Sequence, residues 1–218
     1  WRVASEAAID FWEERLRAAG TSSQRGAGTL RFADPEGLSH ELAVSESDDA
    51  ALRADHPEIP SEHALATDPV RSRTFLAAAL GFEADGGDTY TVRGEQRGSF
   101  YAYDRADAPG LSGAGTIHHV AWSSTTEQQA EWRRRVIEAG GRPTEIIDRF
   151  YFKSVYFREP GGILYELATL GPGFTADEPL ETLGERLSLP PNYEHLRDQL
   201  KDVLTPLPDP RARARTAS

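Results

Sequence analysis

The chain contains no cysteine and no methionine among its 218 residues. Without cysteine there are no disulfides and no thiolate metal sites, a usage that fits a cytoplasmic protein without requiring one. Without methionine there is no initiator residue, and the chain opens at Trp1 inside what reads as the end of a strand, so we expect further sequence upstream. No apolar run approaches the ~20 residues of a membrane span, and the opening residues do not read as a secretory signal. Excess basic charge is also missing: 24 Lys and Arg stand against 35 Asp and Glu, for a net charge of -11. A nucleic-acid surface needs a basic stripe, so that class of partner is excluded.

What remains is the composition of a soluble globular protein, 39% hydrophobic and 27% charged. The length allows one large or two small domains with ample core. Within it a unit repeats. Phe11 to Gly20 resembles Glu131 to Gly140. Both read as amphipathic helices, with Trp12 and Leu16, or Trp132 and Val136, one turn apart on one face and a glycine at the stop. Asp34-Pro35-Glu36-Gly37-Leu38-Ser39-His40-Glu41-Leu42 matches Glu159-Pro160-Gly161-Gly162-Ile163-Leu164-Tyr165-Glu166-Leu167, with the same proline-to-glutamate spacing. A third copy lies between them. Leu65 to Thr67 ends a strand, Asp68 caps a helix with Pro69 at its first position, and Gly81 ends it. Tyr90 to Arg93 and Ser99 to Tyr103 alternate as strands.

The fold class expected is therefore α+β, with repeated βαβββ modules whose sheets curl around a metal-binding cavity. The boundaries expected are 1–45 for an N-terminally truncated module, 46–59 for a linker, 60–105 for a module and 106–114 for a second linker. A metal-binding module follows at 115–170, then a C-terminal tail at 171–218. In the tail, Tyr193 to Leu204 has helical spacing with Leu196, Leu200 and Val203 on one face. Pro206 to Ser218 reads as disordered.

Two segments point to chemistry. Gly115-Thr116-Ile117-His118-His119-Val120-Ala121-Trp122 and Glu159 to Leu167 each read as a strand carrying a metal-competent side chain where burial would penalise a polar group. A histidine and a glutamate facing each other inside a sheet suggest a nitrogen- and oxygen-ligated metal. Strand alternation puts His118 and His119 on opposite faces.

These residues and the βαβββ repeats resemble the vicinal oxygen chelate superfamily, the glyoxalase and extradiol-dioxygenase fold. Arg149-Phe150-Tyr151-Phe152-Lys153-Ser154-Val155-Tyr156-Phe157-Arg158-Glu159-Pro160-Gly161-Gly162 is similar to the ring-cleaving dioxygenases that act on hydroquinone-type substrates. So is Leu189-Pro190-Pro191-Asn192-Tyr193-Glu194. The resemblance implies a non-haem Fe(II) enzyme, with Mn(II) or another divalent metal as alternatives, that opens hydroquinone- or catechol-like rings with O2 in the extradiol manner. Its metal ligands would be His119, Glu166 and a histidine from a first module not present here. With one module absent, an apolar sheet face should be exposed, and a homodimer is a possible consequence.

Each residue has a plainer alternative. His119 is a ligand or a satisfied sheet histidine. Glu166 is a ligand or an edge-strand glutamate facing water. The resemblance implies that His118 hydrogen-bonds near the substrate; otherwise it is a surface or interface histidine. Tyr156 hydrogen-bonds a substrate oxygen or moves a proton, or it packs in the core. Arg149 neutralises a phenolate or the product carboxylate, or it is a solvated strand-end arginine. His63 lies near the first strand of the middle module, one or two residues out of register with a ligand position. His40, His56 and His195 have no metal-like setting. Glu41 is expected to be exposed or salt-bridged, and Trp122 and Trp132 to be core. Rival functions are another metal-dependent enzyme of the glyoxalase fold, and a non-catalytic protein that binds an aromatic small molecule.

Overall fold

A computed structural model describes residues 1–44, 61–94, 98–113 and 115–206, with the side chains of 61–63 outside the description. The linker expected at 46–59 and most of the segment from Pro206 to Ser218 lie outside the described residues, as does His56.

Among the described residues, three four-stranded sheets follow one another, each with the same strand order. The first contains β1 (Arg2–Val3), β2 (Ser23–Gly26), β3 (Thr29–Ala33) and β4 (Ser39–Val44), with α1 (Glu6–Ala18) after β1. The second contains β5 (Ser61–Ala66), β6 (Glu83–Ala84), β7 (Thr89–Arg93) and β8 (Gly98–Arg105). The third contains β9 (Val120–Ser124), β10 (Ile147–Asp148), β11 (Lys153–Arg158) and β12 (Leu164–Thr169). In every copy the first strand lies parallel to the fourth, and the other neighbours are antiparallel. A parallel pair needs a crossover connection, which the helix after the first strand supplies. The architecture is α+β.

The helices form where the periodicity placed them. In α1 the Ser5 hydroxyl caps the start, accepting from the Ala8 N–H at 3.3 Å. Gly20, just beyond the end, has φ 75°. Ala8 and Ile9 are buried with Val3, Leu30 and Leu42, and Trp12 and Leu16 pack against them. α3 (Gln129–Glu138) buries Val136 and packs Trp132 on the second core. The middle helix departs from expectation. It winds through a 3-10 turn (Pro69–Ser72), the single turn α2 (Arg73–Phe75) and a π turn (Leu76–Leu80) before Gly81 at φ 70°. Asp68 makes no side-chain cap, because its backbone (φ -143°, ψ 83°) lies outside the extended capping geometry.

Two strand expectations also need correction. Residues 115–119 are not a strand: pairing with β12 starts only at Val120 opposite Tyr165. Likewise Glu159 to Ile163 forms a turn and β12 begins at Leu164. The turn carries the chain away from the strand axis, so the residues before Val120 have no continuous neighbour to pair with. In the tail, 3-10 turns at Phe174–Ala176, Leu180–Thr182 and Pro191–Leu196 lead to α4 (Arg197–Val203). Leu196 and Leu200 are half-buried but Val203 is exposed, so the expected apolar face is only partly used.

The larger core fuses the second and third sheets. Phe75, Leu76 and Tyr101 from the second repeat pack with Val136, Val155, Phe157, Tyr165 and Leu167 from the third. Phe75 and Phe157 have ring centroids 5.9 Å apart, and Tyr101 and Tyr165 5.7 Å. Tyr101 also meets Tyr103 edge-on at 5.1 Å, and Trp122 meets Phe82 at 4.9 Å, which makes Trp122 a core residue. Burial pushes the phenols of Tyr101, Tyr103 and Tyr165 above their ordinary pKa. A buried carboxylate, Glu159, stitches the two sheets: it accepts from the Ser72 hydroxyl and from the N–H groups of Gly161 (2.8 Å) and Ile163 (2.9 Å).

Helix α3 leaves this core through Gly141. A Cβ there would lie 2.7 Å from the Val136 side chain, 2.9 Å from its carbonyl oxygen and 3.0 Å from Phe75. Gly141→Ala is therefore expected to destabilise the protein by about 1–3 kcal/mol. Gly110→Ala, where a Cβ meets nothing within 4 Å, should change stability by less than about 0.5 kcal/mol. Denaturant melts of the two variants test the pair.

Candidate metal centre

Register places the central residues of the site. On β12, Tyr165 and Leu167 point into the core, so Glu166 points to the opposite face of the sheet. Tyr156 on β11 and Ala121 on β9 lie directly across from it. Ser154, two residues from Tyr156, shares that face, is fully buried and donates its hydroxyl to Glu166 Oε1. Glu166 itself is only 3% exposed, so its charge needs partners. Gln129 of α3 locks the two strands behind it, donating to the carbonyls of Lys153 (2.7 Å) and Leu167 (3.2 Å).

His119 supplies the second partner. Its Nε2 lies 2.8 Å from Glu166 Oε2. His118 was expected on the opposite face. Because both histidines precede β9, alternation does not separate them, and their Nδ1 atoms lie 2.9 Å apart. One of those nitrogens must carry the proton. If His118 donates there, His119 carries its proton on Nε2 and donates it to Glu166; with the proton on His119 Nδ1 instead, the Nε2 lone pair is free for a metal beside the carboxylate.

Tyr156 meets the His119 ring edge-on at 5.8 Å, and the Arg149 guanidinium lies 5.4 Å from the centre of the Tyr156 ring. Tyr156 is half-buried and Arg149 exposed, so both line the open side of the site. Arg149 enters from a tight turn: its N–H donates to the Phe152 carbonyl (2.8 Å), and Asp148 Oδ1 accepts from the Phe150 N–H (2.8 Å). Phe150, at φ 71°, is the single non-glycine residue with positive φ among the described residues.

The five singled-out residues thus converge: His118, His119, Glu166, Tyr156 and Arg149. The other candidates do not join them. His40 stacks on Phe32 at 5.2 Å and lies 3.6 Å from Asp34, within the first sheet. His195 is exposed in the tail. His63 has its backbone on β5 opposite Ala102. Glu41 is ion-paired with Arg31, the residue directly across from it. Ser154 escaped notice, although alternation from Tyr156 marks its face. Glu159 carries no local signal at all, because its partner Ser72 lies 87 residues away.

The donor set suits a divalent metal in part. Two ligands bound at right angles about 2.1 Å from an ion lie about 3 Å apart. The 2.8 Å between His119 Nε2 and Glu166 Oε2 fits that edge. Among the described residues no group of three or more His, Asp or Glu side chains could hold a metal. His119 and Glu166 could fill two positions of a coordination shell.

Comparison with known proteins agrees with the fold and the resemblance. The profile of the Glyoxalase/Bleomycin resistance protein/Dioxygenase superfamily matches residues 53–167. The chain belongs to this superfamily. Among its relatives is the Bacillus subtilis (strain 168) protein named "Putative ring-cleaving dioxygenase MhqO", 35% identical over 222 residues that span 94% of this chain and 71% of that one. The chlorohydroquinone/hydroquinone 1,2-dioxygenase of Sphingobium indicum is 30% identical over 219 residues, 88% of this chain and 67% of that one. A crystal structure from Bacillus subtilis, described as a "putative dioxygenase", superposes with a TM-score of 0.83 at 32% identity, covering 95% of this chain and 72% of that chain.

Replacing Ser154 by alanine would leave a buried carboxylate oxygen without its donor, at a cost of about 1–3 kcal/mol. We expect Ser154→Ala to lower the unfolding free energy of metal-free protein by that amount. A thermal or denaturant melt in chelator measures it.

Proposed function

We propose that the protein is a ring-cleaving dioxygenase of the extradiol type, dependent on Fe(II) and acting on a hydroquinone- or catechol-like ring. The observation that carries this reading is the buried Glu166 facing His119 at 2.8 Å, with Tyr156 and Arg149 beside them. A two-histidine, one-carboxylate set with open positions suits non-haem iron oxygenases, and two of those three ligands would be His119 and Glu166. The names of the relatives support the substrate class.

The chemistry that Fe(II) supplies when bound is a Lewis-acid site for an ionised ring hydroxyl and the redox capacity to let O2 react with the ring. The residues of this chain do the rest. Ser154 fixes the Glu166 carboxylate by its hydrogen bond, so one oxygen stays aimed at His119. With His119 Nε2 on the metal, the ring proton sits on Nδ1, where His118 Nδ1 would accept it and so fix the tautomer and tilt of that ring. The Tyr156 hydroxyl, on the same face, holds a substrate oxygen or passes a proton to it. Arg149 opposes the negative charge of the phenolate and of the carboxylate that forms when the ring opens. Both atoms of O2 end in the product, one at the hydroxyl-bearing carbon and one at its neighbour, so no external reductant is required.

Removal of the ligands separates binding from chemistry. His119→Ala and Glu166→Gln should lower iron content at least tenfold by elemental analysis of anaerobically purified protein. Tyr156→Phe should retain iron while lowering kcat for hydroquinone cleavage by about 10². Full iron content in both ligand variants would overturn the metal assignment. Tight hydroquinone binding without any oxygen uptake by the iron-loaded protein would point instead to a binding protein.

A further inference from the structure

Arg149 reaches the site from a turn that glycine would ordinarily occupy. Phe150 holds φ 71° there, a conformation a bulky residue keeps only when its surroundings impose it. The bracing comes from the C-terminal segment. The Tyr151 carbonyl accepts from the Gly173 N–H at 2.8 Å, and the Tyr151 hydroxyl donates to Asp177 Oδ2 at 2.8 Å. Ser188 donates to the same Asp177 oxygen at 2.9 Å and also touches the Tyr151 hydroxyl. Phe174 packs on Tyr151 at 5.5 Å and on Phe152 at 6.4 Å. Phe150 itself lines a groove of about 880 Å³ that Asp177, Ser188 and Arg197 also border. The backbone that points Arg149 toward Tyr156 is thus gripped from behind by residues remote from the metal ligands.

We propose that Tyr151, Asp177 and Ser188 form a clamp through which the C-terminal segment sets the direction of Arg149. The three are positioning residues for recognition of the substrate anion, and the assignment rests on the reading of Arg149 given above. The clamp touches neither metal ligands nor substrate. Loosening it lets the Arg149 turn relax, so the guanidinium spends less time over Tyr156.

The test uses the intact iron-loaded protein and oxygen uptake with hydroquinone. Tyr151→Phe, which removes the hydrogen bond to Asp177, and Asp177→Asn, which reduces it from a charge-assisted bond to a neutral one, should each lower kcat/KM about fivefold with iron content unchanged. The combined variant R149A/D177N should be no slower than Arg149→Ala alone, because the clamp acts only through that side chain. Additive losses, or wild-type kcat/KM in Asp177→Asn and Tyr151→Phe, would overturn the clamp. If Arg149→Ala itself keeps wild-type kcat/KM, the Arg149 reading falls and the clamp with it. An impaired Arg149→Ala beside an unimpaired Asp177→Asn sinks the clamp alone. Anaerobic calorimetric titration of hydroquinone gives the same comparison in Kd without turnover. Ser188→Ala, which keeps the Tyr151 to Asp177 bond, serves as the gentler variant if Tyr151→Phe does not fold.

Discussion

A carboxylate buried in the middle of a sheet must be answered by a charge or by hydrogen-bond donors, and Glu166 is answered by His119 and Ser154. The neighbouring side chains of the same strand, Tyr165 and Leu167, are fixed in the core. A one-residue slip of β12 would exchange the two sets, placing the charge in the aromatic core and Tyr165 and Leu167 in the cavity. Packing behind the strand and polarity in front of it therefore enforce the same register. Gln129, which spans β11 and β12 from the helix side, holds that register from a third direction.

The first sheet shows what the position becomes without that purpose. Glu41 occupies on β4 the place that Glu166 occupies on β12, directly across from a residue of the preceding strand. Where the third sheet has Tyr156, the first has Arg31, and Arg31 closes an ion pair on the glutamate. An arginine neutralises the carboxylate through one of its oxygens; a tyrosine leaves it available to the histidine. One architecture thus carries both a structural and a chemically disposed version of the same residue, and the cross-strand neighbour decides between them.

Much of this was legible from residue patterns. Alternation and the shared proline-to-glutamate spacing marked the strands, and Trp12, Leu16, Trp132 and Val136 marked the helix faces, because both periods are local properties. The gathering of His119, Glu166, Tyr156 and Arg149 came from the resemblance and is a matter of register between strands. Local reading failed where pairing partners decide the outcome. Gly115 to His119 looks like strand but has no continuous neighbour, so His118 sits beside His119 instead of opposite it. The burial of Glu159 depends on Ser72 in the helical segment of another repeat, and the bracing of Tyr151 depends on a segment that reads only as a tail.

The fused core behind the site has its own consequence. Tyr101, Tyr103 and Tyr165 are crowded together with their phenols held neutral, each disfavoured from ionising first of all by burial. In the unfolded chain the same groups ionise near pH 10. Their contribution to stability is whole below that point and drains away as the solution becomes more alkaline, since only the unfolded chain can release those protons. The seam joining the second and third sheets is therefore one part of the molecule that limits its tolerance of base. Strong alkali would undo the site from behind, by parting the sheets that carry it.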